Sequence, residues 1–228
     1  MISHRHKTIF VHIPKVAGQS IENVFLKDLG LNWSTRKPLL LMPNEQPENG
    51  PPRLAHLTSE EYVKYHYLSE EIFNNYFKFS FVRNPWDRVV SFYKFLYYAK
   101  GVTFEVFVKK LLPDFVNKND FFFKSQYDYL YCKGKSCVDF IGRFENLNED
   151  FSKILNTLGL SKLKLEHINK SKINKGKYSD IKTSFKKLVL NVEYQPFYPS
   201  YKSYYNQELI SIVADLYKKD VEFFKYSF

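Results

Sequence analysis

Hydrophobic positions along the chain switch repeatedly between a strand pattern and a helical period, and the switches predict strands that feed helices. Residues 8–13, Thr-Ile-Phe-Val-His-Ile, form a short and nearly continuous apolar run that stops at Pro14. Such a run suits a strand buried on both faces of a parallel sheet. Beyond the turn at Gly18, Ile21, Val24, Phe25 and Leu29 fall on one face of a helix. The pattern returns at residues 78–83, Lys-Phe-Ser-Phe-Val-Arg, which read as the next buried strand. Asn84-Pro85 then supplies an N-cap residue and a proline at the first helical position, for a helix reaching about residue 98. Residues 140–143 predict a further strand, with Asn146 and Glu149 capping a helix to residue 158. The last helix is the clearest, with Leu209, Ile212, Val213, Leu216 and Tyr217 repeating at helical spacing. Strands alternating with helices imply an α/β fold, a mostly parallel central sheet flanked by helices on both faces.

Weaker signals lie between these units. Residues 43–52 are too rich in proline for regular structure, residues 53–57 read as a short strand, and Thr58 with Glu61 forms a capping-box signal for a helix over 60–66. The proline-rich stretch is short for an inter-domain linker, and no repeat is present. All 228 residues are expected to form one domain, long enough to bury its own core.

Composition changes this picture in three ways. Aromatic residues make up 18%, almost all Phe and Tyr; an A/T-rich genome accounts for that bias, and platforms for sugar rings are the functional alternative. The formal net charge of +10 attracts polyanions, whether nucleic acid, an anionic membrane face, an acidic glycan or a multiply phosphorylated nucleotide. Lysines are spread along the chain rather than packed into an arm, which argues against a nucleic-acid tail. No apolar run approaches the roughly 20 residues that span a bilayer, and the start lacks a signal-peptide core, so a cytoplasmic protein is expected. Cys132 and Cys137, in the turn Cys-Lys-Gly-Lys-Ser-Cys, lack a second zinc-ligand pair. In a reducing compartment they are expected as free thiols, with no assigned role.

Two strand–turn–helix junctions carry candidate chemistry, because ligands of open α/β sheets bind where strand C-termini feed helices. In the first, His12-Ile-Pro-Lys-Val-Ala-Gly-Gln-Ser20, Lys15 and Gly18 precede a helix start, offering backbone N–H groups, a positive dipole end and an ammonium to a phosphate-like group. By itself the loop reads equally as a plain turn with a solvated lysine. It is not a Walker A loop, since Lys15 precedes the only glycine, and a Mg-nucleotide kinase or hydrolase is disfavoured. In the second junction, Arg83 closes a strand beside a helix N-terminus and Ser91 follows two turns later. The pair suits bidentate phosphate clamping with a second hydroxyl donor, or an Arg83–Asp87 ion pair with Ser91 as packing. Asp87 and Arg88 read as structural.

Together, Ile13-Pro-Lys-Val-Ala-Gly-Gln-Ser20 and Phe81-Val-Arg-Asn-Pro-Trp-Asp-Arg-Val-Val-Ser-Phe-Tyr93 resemble the two cofactor motifs of the sulfotransferase superfamily. The likeness is to carbohydrate sulfotransferases of the heparan-sulfate 2-O and chondroitin 4-O type and their bacterial relatives. It extends through Phe140-Ile-Gly-Arg-Phe-Glu-Asn-Leu147 and residues 204–226, so it covers most of the chain. The resemblance implies a P-loop-NTPase-like sheet and the donor 3′-phosphoadenosine 5′-phosphosulfate, leaving adenosine 3′,5′-bisphosphate, with no metal. It implies a phosphosulfate loop at Lys15, Ala17, Gly18, Gln19 and Ser20, a 3′-phosphate site at Arg83 and Ser91, and a covering loop at Lys170 and Ser171, which read equally as a solvated lysine-rich segment. Val16 and Gln19 stand where many relatives carry threonine, leaving cofactor contacts there to backbone N–H groups. The implied acceptor is a glycan or polysaccharide hydroxyl, with which the positive charge agrees for an acidic glycan.

The acceptor proton needs a base. His4 and His6 fall in a terminus expected to fray, His12 in a strand where a packed, satisfied imidazole is expected, His66 at a helix end and His167 before a lysine-rich loop. His56 matches the position where the related 2-O enzymes carry a histidine base, and an imidazole suits the task. A helix-capping role is its alternative, and Glu22 and Glu61 are the fallback bases. Catalysis is thus expected from Lys15 and His56. The competing reading is a non-catalytic, basic polyanion- or glycan-binding protein on the same fold.

Overall fold

The computed structural model describes residues 1–95, 101–165 and 198–228. Its strands are β1 (Ile2–Ser3), β2 (Thr8–Phe10), β3 (Phe77–Val82), the hairpin pair β4 (Tyr131–Cys132) and β5 (Lys135–Ser136), and β6 (Phe140–Arg143). The central sheet runs β1-β2-β3-β6, with β2, β3 and β6 parallel and β1 antiparallel at the edge. Thr8 pairs with Phe77, and Val82 with Arg143, so the C-terminal ends of all three parallel strands open on one side. That side receives both motifs.

The helices that matter for the site are α1 (Gly18–Asp28), α2 (Glu61–Lys64), α3 (Glu70–Asn75) and α4 (Pro85–Phe95). Ile21, Val24 and Phe25 of α1 are buried on the sheet, where Phe25, Phe10 and Phe79 stack. A second core forms around Val89, Phe92 and Tyr93 of α4, against Leu209, Val213 and Tyr217. The α4 start follows its chemistry: Asn84 Oδ1 accepts from the amides of Trp86 (3.1 Å) and Asp87 (3.4 Å). Residues 96–98 of the helix expected there lie outside the described residues.

Several expectations are corrected. Residues 53–57 are not a strand: Leu54–His56 forms a 3₁₀ turn, and only Arg53 bridges to Pro43. Tertiary contacts hold the turn: Leu54 and His56 are buried, and the Leu54 amide donates to the Met42 carbonyl at 3.1 Å. Glu61 Oε2 does accept the Thr58 amide (2.8 Å), but α2 stops at Lys64 and His66 turns the chain at φ 58°. The helix after β6, Leu147–Thr157, begins without a side-chain cap from Asn146. The final helix breaks at Tyr217 into Gln207–Leu216 and Lys218–Phe223. The first residues do not fray, since Met1 and Ile2 are buried and His6 Nε2 meets Asp28 (2.9 Å). Cys132 and Cys137 are joined as a disulfide rather than free, because the β4–β5 hairpin brings their Cα atoms to 6.2 Å, within bridging reach.

One buried network ties the two motifs together. Arg88 is 1% exposed; its Nε donates to the Pro14 carbonyl (3.0 Å) and its Nη1 to the Lys124 carbonyl (3.1 Å). Its Nη1 also lies 4.0 Å from Asp220, which is 0% exposed and accepts from the amides of Gln126 (3.0 Å) and Tyr127 (2.9 Å). The Gln126 side chain in turn donates to the Arg83 carbonyl and accepts from its amide, both at 2.8 Å. Arg88 therefore reads as structural, as expected. Replacing it with methionine leaves Asp220 and two carbonyls buried without their cation. Urea unfolding of Arg88→Met is expected to show a loss of about 3–5 kcal/mol, with much of it regained in the double variant Arg88→Met/Asp220→Asn.

Candidate active site

A cleft of about 910 Å³ opens at the C-terminal ends of β2, β3 and β6. Lys15, Ala17, Gly18, Gln19, Ser20, Arg83, Ser91 and His56 all line it. Residues more than thirty positions apart are thus brought to one surface. Lys170 and Ser171 lie outside the described residues.

The loop after β2 reverses through two left-handed residues, Lys15 (φ 73°) and Ala17 (φ 70°). A side chain in that region is strained, so the conformation must be held from outside the loop. Arg88 holds the Pro14 carbonyl, and Arg83 Nη1 holds the Lys15 carbonyl at 3.1 Å. The chain then enters α1 at Gly18, whose amide at the helix start has no helical acceptor, a position that favours negative charge. Gly18 is required for a second reason: a Cβ there would come within 1.9 Å of His12 Nε2. The Lys15 ammonium lies 3.8 Å from the centroid of the Phe95 ring. Burial, and then the nearby Arg83 guanidinium, lower its pKa to about 8.

Arg83 is less free than its motif suggested. Its Nε donates to Asp87 Oδ2 at 2.8 Å, and its guanidinium stacks 4.0 Å from the Phe144 centroid. The ion-pair alternative is therefore present, together with the bond to Lys15. Three contacts thus orient the guanidinium fork at the cleft. Asp87, Ser91 and Phe95 follow at four-residue spacing along one face of α4, all on the cleft, with Lys94 beside them.

His56 Nδ1 donates to the His12 carbonyl at 2.8 Å, which leaves Nε2 with its lone pair when the ring is neutral. Burial, followed by the adjacent His12 ring, pushes its pKa well below the usual imidazole range. His12 is the packed, satisfied histidine expected, its Nδ1–H donating to Glu22 Oε1 at 2.6 Å with both side chains buried. That contact removes Glu22 as a free base. Glu61 is bound to the Thr58 amide, and neither carboxylate lines the cleft, so His56 alone of the three candidate bases does so. Arg53, Lys94, Phe95 and Phe122 also line the cleft though the sequence assigned them no role there, and Phe144 lines it from within the Phe140–Leu147 stretch of the resemblance. Of the first four, Phe95, one turn beyond Ser91, carried a positional signal.

The cleft thus joins a strained loop and helix start at the first parallel strand end to an arginine at the second, on an α/β sheet. The model of the sulfotransferase family matches residues 1–227, and the chain belongs to that family. An uncharacterized protein of Archaeoglobus fulgidus is 36% identical over 99 residues, a match covering 41% of this chain and 76% of that protein.

The contact between Gly18 and His12 yields a test. Gly18→Ala must displace a buried imidazole bonded to Glu22, and urea unfolding is expected to show a loss of about 1–3 kcal/mol. An unchanged midpoint would mean that the His12 ring moves aside freely.

Proposed function

We propose that this chain transfers the sulfuryl group of 3′-phosphoadenosine 5′-phosphosulfate to a hydroxyl of a carbohydrate acceptor by in-line displacement. The observation that carries the reading is the convergence of Lys15, Ser20, Arg83 and Ser91 on one cleft with His56. The donor set fits the nucleotide: an ammonium and a helix start suit a phosphosulfate, and a guanidinium with a hydroxyl suits the 3′-phosphate. The donor supplies a sulfuryl group on a phosphate that leaves already stable, so the reaction resembles loose phosphoryl transfer and asks for positioning and charge stabilisation.

Lys15 and the α1 amides stand where negative charge grows on the bridging oxygen. Ser20, in the first turn, adds a hydroxyl. Arg83 and Ser91 anchor the far end of the nucleotide and so fix the direction of displacement. His56 accepts the acceptor proton at Nε2, its Nδ1–H bond to the His12 carbonyl setting the tautomer. Its depressed pKa keeps the imidazole neutral and able to accept that proton at physiological pH. Arg53 supports an acidic acceptor: it is exposed on the cleft wall, and its charge contributes to the depression of His56. A cytoplasmic location and a bacterial glycan precursor as acceptor complete the reading. Among the described residues no helix is long and apolar enough to cross a membrane.

Labelled donor screened against acidic and neutral glycans tests the whole reading; sulfate transfer to phenols alone would overturn the carbohydrate assignment. Lys15→Ala is expected to lower turnover by about 10²–10³ without unfolding the protein. His56→Ala is expected to lose about 10²–10⁴ while equilibrium dialysis shows adenosine 3′,5′-bisphosphate binding retained. Wild-type turnover in either variant would remove that residue from the chemistry.

The pH dependence has a definite sign. Lys15 must be protonated and His56 neutral. The donor kcat/KM, which reports the free enzyme, is expected to fall as pH rises through about 8. Its acid limb should lie well below pH 6.5, since His56 stays neutral there. Lys15→Arg should move the alkaline limb upward, and an alkaline limb unmoved in that variant would contradict the assignment.

A further inference from the structure

Phe95 is a large apolar side chain left 47% exposed at the edge of the cleft. Its ring is nearly parallel to that of Phe122, with centroids 5.8 Å apart and planes 16° from each other. Phe122 meets His56 edge-on at 6.3 Å, and Phe121 lies 6.0 Å from the same imidazole. The Lys15 ammonium sits over Phe95 at 3.8 Å. An aromatic path therefore runs from the cation of the anion loop to the candidate base. Along it the cleft changes character, from Lys15, Arg83 and Ser91 on one side to the exposed ring of Phe95 and the half-buried ring of Phe122 near His56.

We propose that the exposed ring of Phe95, backed by Phe122, forms the surface on which the acceptor's sugar ring lies, and that Lys15 covers this surface until the donor is bound. The proposal rests on the sulfuryl-transfer reading and adds to it a place for the acceptor and an order of binding. A pyranose has an apolar C–H face and a rim of hydroxyls. Laid on an aromatic ring, it presents the rim sideways, toward the neighbouring imidazole. An acyclic or purely anionic acceptor would gain nothing from these rings.

Order follows from competition for one ring. An ammonium over the Phe95 face and a sugar on that face exclude each other. Attraction between a cation and a ring is weaker than a charge-assisted bond to an anion. Donor oxyanions therefore draw Lys15 off Phe95 and toward the bridging oxygen, and the ring becomes available. Acceptor entering first would meet a covered platform and an unplaced lysine.

The test uses the full chain, labelled with ¹³C-lysine. The ε-methylene signal of Lys15, assigned by its absence in Lys15→Arg, is expected to be shifted upfield by the Phe95 ring and to lose that shift in Phe95→Leu. Saturating adenosine 3′,5′-bisphosphate should move it to an ordinary lysine position. With the glycan panel as acceptors, Phe95→Leu and Phe122→Leu should each raise acceptor KM roughly tenfold while donor KM stays within about twofold. Phe95→Trp should restore acceptor KM, and a matching thermal midpoint checks each fold. A Lys15 signal that keeps its upfield position with bisphosphate bound, or an acceptor KM unchanged in both leucine variants, overturns the proposal. So does a protein that binds the bisphosphate yet sulfates no ring-bearing glycan. Absence of bisphosphate binding sinks the donor reading beneath it instead.

Discussion

The loop after β2 and the end of β3 are both tied to a guanidinium that does not line the cleft. Arg88 is buried beneath the junction of the two motifs, with Nε on the Pro14 carbonyl and Nη1 beside Asp220. A buried cation of this kind is costly to desolvate, and burial lowers its pKa even with Asp220 and two tyrosines opposing. What the cost secures is register. The loop after β2 contains two strained residues, and the bonds from Arg88 and Arg83 to successive carbonyls hold it in that shape. Gln126, gripped by Asp220, fixes the end of β3 from the other side. Two loops far apart in sequence are thus tied together at one cleft.

The electrostatics of the cleft follow from the same packing. Lys15 is desolvated beside another cation, so its ammonium gives up its proton more readily than usual. His56 is desolvated too, which keeps its imidazole neutral. Burial therefore moves both groups in one direction, downward, and with opposite consequences for charge: one stays a cation at neutral pH, the other a base. That pairing suits a reaction in which a leaving oxygen gains charge while an acceptor hydroxyl loses a proton.

Local signals in the sequence were enough for the parallel strands, the Asn84-Pro85 helix start and both motifs, because each rests on short-range pattern. The two motifs also imply their meeting, since both end strands of one parallel sheet. What was not legible depended on distant partners. Residues 53–57 carry a strand-like pattern, yet His56 is turned inward by the carbonyl of His12, forty-four positions away. Glu22 looked available on its helix and is spent on that same His12. The Arg83–Asp87 pair could be foreseen from its spacing, whereas the bond from Arg83 to Lys15 could not. Phe95 carried only its four-residue spacing from Ser91 and Phe122 carried no signal, one among 22 phenylalanines until the cleft brings it beside His56.

In the proposed reaction the cleft between Lys15 and Arg83 holds a bisphosphorylated nucleotide. Titration calorimetry with adenosine 3′,5′-bisphosphate, run beside adenosine 5′-monophosphate, tests this. Saturable one-to-one binding of the bisphosphate is expected, with the monophosphate weaker by roughly tenfold or more for want of the group that Arg83 and Ser91 would receive. Equal affinities, or heat that never saturates, would contradict it.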